Sequence, residues 1–115
     1  MDHICFALPI LPGRTDDAQT FHRELGGARK SDYATSEQRI GIDKEYWFLQ
    51  RTPQGDMLLA YVESADFATA LGQFAQSQDE FDQWFKKRLA AVTGVDLNNP
   101  PPGPLSELVP SYSSR

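Results

Sequence analysis

The chain of 115 residues has one cysteine, Cys5. That excludes an intrachain disulfide and any zinc site built from several thiolates. It has two histidines, His3 and His22, which share neither H-x-x-x-H nor H-x-H spacing. Nothing in the sequence therefore places an imidazole pair for a metal or a haem. No apolar run approaches the ~20 residues that a membrane span needs. The opening MDHICFALPI is short and lacks the cationic start of a signal peptide. The chain reads as cytoplasmic, with no membrane partner. Basic residues are also scarce: 11 Lys and Arg against 16 Asp and Glu give a formal net charge of −5. This argues against nucleic acid as a partner, because such binding rests on cations that neutralise phosphates. The densest basic run, Lys86-Lys87-Arg88, reads as a solvated cluster near a helix end, where cations suit the macrodipole. The phosphate-loop, dinucleotide and nucleophile-elbow motifs are all missing, and no cofactor is implied.

What is present suits one small soluble domain. Hydrophobic residues make up 40% and charged residues 23%, enough apolar content for one modest core. DHICFALPI reads as a strand from His3 to about Leu8. In GRTDDAQTFHRELGG, Thr15 is the expected N-cap, Asp16 and Asp17 suit the helix start, and Gly26-Gly27 supplies the stop. SDYATSEQRIGI reads either as a short helix capped at Thr35 or Ser36 or as a loop. Strands follow from about Lys44 to Arg51 and from about Met57 to Glu63, joined by the turn TPQGD. Ser64 or Asp66 caps FATALGQFAQ. Ser77 with Glu80 forms a capping box for a last helix, whose stripe is Phe81, Trp84, Phe85, Leu89 and Val92. That stripe reads as core rather than as a cofactor box. The domain thus covers 1–97. The remainder, 98–115, is a Pro-rich tail in which ELVPSY can supply a final strand, at an edge because of Pro110.

The order is strand, helix, strand, strand, helix, strand. This predicts an α+β, ferredoxin-like βαββαβ arrangement, an antiparallel sheet with helices on one face. The other face, left bare, is an association site. If Pro53-Gln54-Gly55 is a three-residue loop, Trp47 lies opposite Tyr61, Leu49 opposite Leu59, and Glu45 opposite Glu63. The bare face then carries Glu45, Trp47, Leu49, Leu59, Tyr61 and Glu63, with His3 and Cys5 beside them. Phe48, Tyr46, Ala60 and Val62 lie under the helices. A slip of one residue inverts this assignment.

GIDKEYWFLQRTPQGDMLLAYVES followed by SQDEFDQWFKKRLAAVTGVDL resembles a family of small uncharacterised bacterial proteins in the dimeric α/β-barrel superfamily. The resemblance runs from about Ile4 to Leu97 and rests on Glu45-Tyr46-Trp47, the Gly55 turn and Phe81-Asp82-Gln83-Trp84. It implies a homodimer whose two sheets close face to face into a barrel, and leaves the activity open. Three readings follow, in this order. The first is a homodimeric barrel that binds a small, partly apolar molecule between Trp47, Leu49, Leu59 and Tyr61, with Glu45 and Glu63 as polar handles. The second is a structural dimer with a filled barrel. The third is a cofactor-independent isomerase or monooxygenase in which Glu45 or His3 removes a proton and Tyr61 steadies the oxyanion.

Overall fold

The computed structural model describes residues 1–114. Its elements are β1 (Asp2–Pro9), α1 (Thr15–Leu25), α2 (Lys30–Ile40), β2 (Ile42–Gln50), β3 (Met57–Ser64), α3 (Phe67–Gln76) and α4 (Glu80–Thr93). The three strands form one antiparallel sheet in the order β1-β3-β2, with all four helices on one face. The fold is α+β and ferredoxin-like, as the sequence order predicts. No strand forms in the tail among the described residues. Where a fourth strand would flank β1, the Cys5 N–H instead donates to the Ser106 hydroxyl oxygen at 2.9 Å. Pro110 cannot donate to a ladder, which further weakens strand formation there.

The hairpin register differs from expectation by one residue. Trp47 pairs with Ala60, Tyr46 with Tyr61, and Glu45 with Val62. The last pair is Gln50 with Met57, so the connection runs from 51 to 56 rather than over Pro53-Gln54-Gly55. Thr52 closes the turn on Gly55, its carbonyl accepting from the Gly55 N–H at 3.1 Å and its hydroxyl donating to the Gly55 carbonyl. Asp56 is engaged elsewhere: its carboxylate accepts from the Thr15 hydroxyl at 2.7 Å and its carbonyl from the Ile10 N–H at 2.9 Å.

Because side chains alternate along a strand, the slip inverts β2. Glu45, Trp47 and Leu49 face the helices together with Ala60 and Val62. Tyr46 and Phe48 are bare, at 53% and 54% exposure. On β1 and β3 the faces are as expected. Ile4, Phe6, Ala60 and Val62 lie under the helices, while Cys5, Leu59, Tyr61 and Glu63 lie on the open side.

Helix caps follow the sequence in part. Asp66 caps α3, accepting from the Thr69 N–H at 3.1 Å. For α4 the cap is Asp79 rather than Ser77; its carboxylate accepts from the N–H groups of Phe81 and Asp82. Ser77 instead donates to Asp82 at 2.6 Å. Thr15 is the first residue of α1 rather than its cap. The core gathers Phe21, Leu58, Phe74, Phe81, Phe85 and Leu89, each large side chain worth about 1.5–3 kcal/mol of burial. The α4 stripe is core, as expected.

Lys86 is not part of a solvated cluster. It is buried, and its ammonium donates to the carbonyls of Phe74, Ala75 and Ser77 at 2.8, 3.3 and 3.0 Å. It therefore closes the C-terminal end of α3, where carbonyls lack helical partners and the dipole favours a cation. Asp82, 0% exposed, ties α2 to α4 by accepting from Ser36, Ser77 and Arg39.

Candidate functional site

Between the covered sheet face and helices α3 and α4 lies a cavity of about 280 Å³. Phe6, Trp47 and Val62 form its floor, Phe67 and Phe74 a side wall, and the tail from Pro100 to Ser106 its roof. Glu37 and Glu45 supply its acidic end. Glu45 arrives from β2 because the register turns it inward. Glu37 arrives from α2, four residues after Tyr33 and hence on the same helix face. The left-handed conformation at Gly41 (φ 91°) ends α2 and lets the chain enter β2 directly. Glu37 and Glu45 are thereby brought to one place.

The Tyr33 hydroxyl donates to Oε2 of Glu45, and the Trp47 indole N–H donates to the same oxygen at 2.9 Å. Glu37 and Glu45 stand close enough for each to shift the other's titration. Burial, then the Glu45 charge, pushes the Glu37 carboxyl up to about 10. Burial also raises Glu45, against the pull of the donors Tyr33 and Trp47. Burial beside these acids holds the Tyr33 phenol well above its ordinary value. Two donors, Tyr33 and the Trp47 indole, act on Glu45 and none on Oε2 of Glu37. Burial favours the protonated form of both carboxyls, and Glu37 is the one that holds its proton more firmly. Oε2 of Glu37 is buried with no hydrogen-bond partner. The arrangement is two carboxyl groups held side by side at the end of an apolar chamber, with two fixed donors on one of them, a pairing suited to proton transfer.

The expected site residues divide between the two sheet faces. Glu45 and Trp47 line the cavity. Leu49 is covered too, and borders a second hollow of about 390 Å³ with His22, Arg23 and Phe48. There the His22 ring lies 4.9 Å from Trp47, and burial pushes it down to about 4. Leu59, Tyr61, Glu63 and His3 are on the open face. His3 Nδ1 lies 2.9 Å from the Tyr61 hydroxyl, which donates to Glu63 at 2.7 Å. Glu45 and Glu63 therefore do not face each other, and Tyr61 cannot reach a substrate held at Glu45. Among the described residues no three His, Cys, Asp or Glu side chains are grouped to hold a metal ion. Tyr33 and Glu37 are absent from the sequence-based site. The signal that could find them is Tyr-x-x-x-Glu on a segment with no apolar stripe, which places a phenol and a carboxyl on one helix face.

No model of a known family matches the chain, and no curated protein matches it in sequence. A solved structure does. The crystal structure of L-rhamnose mutarotase FA22100 from Formosa agariphila superposes with a TM-score of 0.62 and 17% sequence identity. The alignment covers 97% of this chain and 100% of that one. The two share a fold. At that identity the likeness carries no residue roles across, and the acid pair stands on its own geometry. No helix among the described residues is long and apolar enough to cross a membrane.

Proposed function

We propose that the protein is a cytoplasmic homodimer of the dimeric α/β-barrel type that binds a small, partly apolar molecule and isomerises it by proton transfer. The ligand site is the chamber between sheet and helices, not the barrel interior. The observation that carries this reading is the Glu37–Glu45 pair, two carboxyl groups at one end of that chamber with Tyr33 and the Trp47 indole both donating to Glu45. In the proposed step the Glu45 carboxylate takes a proton from the ligand and the Glu37 carboxyl returns one at another atom. The proton on Glu45 then passes to Glu37, so the pair ends as it began. Tyr33 and the Trp47 indole steady Glu45 as its charge changes. Mutarotation, the chemistry in the neighbour's name, is itself a proton-transfer isomerisation. The open face, with Tyr46, Phe48, Leu59 and Tyr61, would meet a second copy.

A thermal-shift screen against small carbonyl, phenol, alcohol and sugar compounds tests the site. Hits on the wild type should vanish in Ala70→Trp, which fills the chamber from α3. For each hit, proton exchange with D2O, read by NMR, should be catalysed by the wild type and lost in Glu45→Gln. The absence of any hit, or hits that persist in a folded Ala70→Trp, would refute the ligand site. Hits without exchange would reduce the protein to a binder.

A further inference from the structure

The chamber's lining selects among ligand classes. Of the side chains around it, only Glu37, Glu45 and Ser106 carry an oxygen. The single ring N–H, on Trp47, is already committed to Glu45. The remaining wall is aliphatic, aromatic or proline. The Ser106 hydroxyl oxygen already accepts from the Cys5 N–H. Apart from the Ser106 O–H at the tail, side-chain hydrogen-bonding capacity is therefore concentrated at one end, on the carboxyl groups of Glu37 and Glu45.

Resting on the ligand site just proposed, we infer that this chamber takes an apolar ring compound with one neutral hydroxyl head, a phenol or enol, and rejects monosaccharides. A monosaccharide carries hydroxyls around its whole ring. Buried here, one or two would meet the acid pair and the rest would face Ile, Phe, Leu and Pro. Each buried hydroxyl left without a partner weakens binding by about ten- to a hundredfold. A single hydroxyl at the end of an apolar body leaves none stranded. Its O–H can donate to a carboxyl oxygen of the Glu37–Glu45 pair, while the rings replace water against Phe6, Val62 and Phe74. An anionic head is excluded by the same pair. Burial and the neighbouring charge already suppress a second negative charge there, and a ligand carboxylate would add one. The volume, about 280 Å³, lies near the lower end of pockets that enclose small ligands, which suits one or two rings.

Isothermal titration calorimetry of the full chain with 1-naphthol, 1-naphthoate and L-rhamnose tests this, each repeated on Ala70→Trp. The expected result is saturable 1-naphthol binding at least tenfold tighter than that of 1-naphthoate. It should be abolished by Ala70→Trp, with no heat from L-rhamnose. Circular dichroism confirms that the variant is folded; should it not fold, Leu71→Trp fills the same chamber from the next position on α3. L-Rhamnose binding that is lost in the filled variant would overturn the ligand class while leaving the site intact. So would library hits in the screen above that exclude every phenol. Naphthoate binding as tightly as naphthol would overturn the role of the acid pair in selection. Naphthol binding unchanged in a folded filled variant would overturn the site itself.

Discussion

Replacing Glu37 by glutamine should make the protein more stable at alkaline pH, because it removes a proton that the fold is obliged to keep. The unfolded chain sheds that proton near the ordinary value of 4.5, and the folded pair holds it to about 10. Between those limits the native state binds more protons than the unfolded state. Stability therefore falls as pH rises, by about 1.4 kcal/mol per pH unit. From pH 7 to pH 9 the wild type should lose about 3 kcal/mol on this account. Glu37→Gln carries no titrating group, so it loses none of this. Its amide can donate to the Glu45 carboxylate beside it. The window above pH 7 matters because of His22. Its folded value is about 4 against an ordinary 6.5, so between those values stability rises with pH and offsets the Glu37 trend. Urea unfolding of both proteins at pH 7, 8 and 9 gives the difference directly. A gap that widens with pH supports the retained proton. Curves that stay parallel would show that Glu37 ionises as an exposed carboxyl does, and with it the assignment of acid and base would fall.

Three further outcomes follow from the same contacts. His22→Phe should resist acid better than the wild type, by about 1.4 kcal/mol per pH unit between pH 6.5 and pH 4; identical acid unfolding curves would contradict the burial of a neutral imidazole. Asp82→Ala removes the acceptor shared by Ser36, Ser77 and Arg39 at a fully buried position. It should cost about 3 kcal/mol in chemical denaturation, and a loss below about 1 kcal/mol would mean that α2 is held by something else. Phe48→Glu places a charge on the open face where half the side chain is already in solvent. Sedimentation should show a folded monomer in place of a dimer, whereas equal masses for variant and wild type would refute this face as the contact between copies.

The elements were legible in the sequence where local chemistry is strong. Asp66 announces α3, the Phe81–Val92 stripe announces α4, and the alternation in β1 and β3 fixes their faces. The β2 face was not legible, because TPQGD fits more than one hairpin loop and a change of one residue inverts the strand. In the structure Thr52 closes the turn on Gly55 while Asp56 is held by Thr15 and Ile10, forty or more residues distant in the chain. Glu45 and Trp47 were selected as site residues and do meet in one place, on the face opposite the one expected. Tyr33 and Glu37 escaped notice for a different reason. On α2 Ser36 alone is fully buried, with Tyr33, Glu37 and Ile40 half-buried, so no apolar stripe reveals it. It is held by the polar contacts of Ser36 and Arg39 with Asp82.

The roof of the chamber solves a problem of unpaired amides. A chain laid along an apolar hollow as a single strand turns N–H groups that have no acceptor toward an apolar surface, each an unfavourable contact. Four of the seven residues from 100 to 106 are proline, and proline has no N–H to strand. The prolines also hold the chain extended without ladder or helix, so little conformational freedom is lost when it settles. One hydrogen bond, at Ser106, ties these residues to the sheet. The chamber is thus bordered on its tail side by a segment that offers few amide N–H groups and belongs to no rung of the sheet.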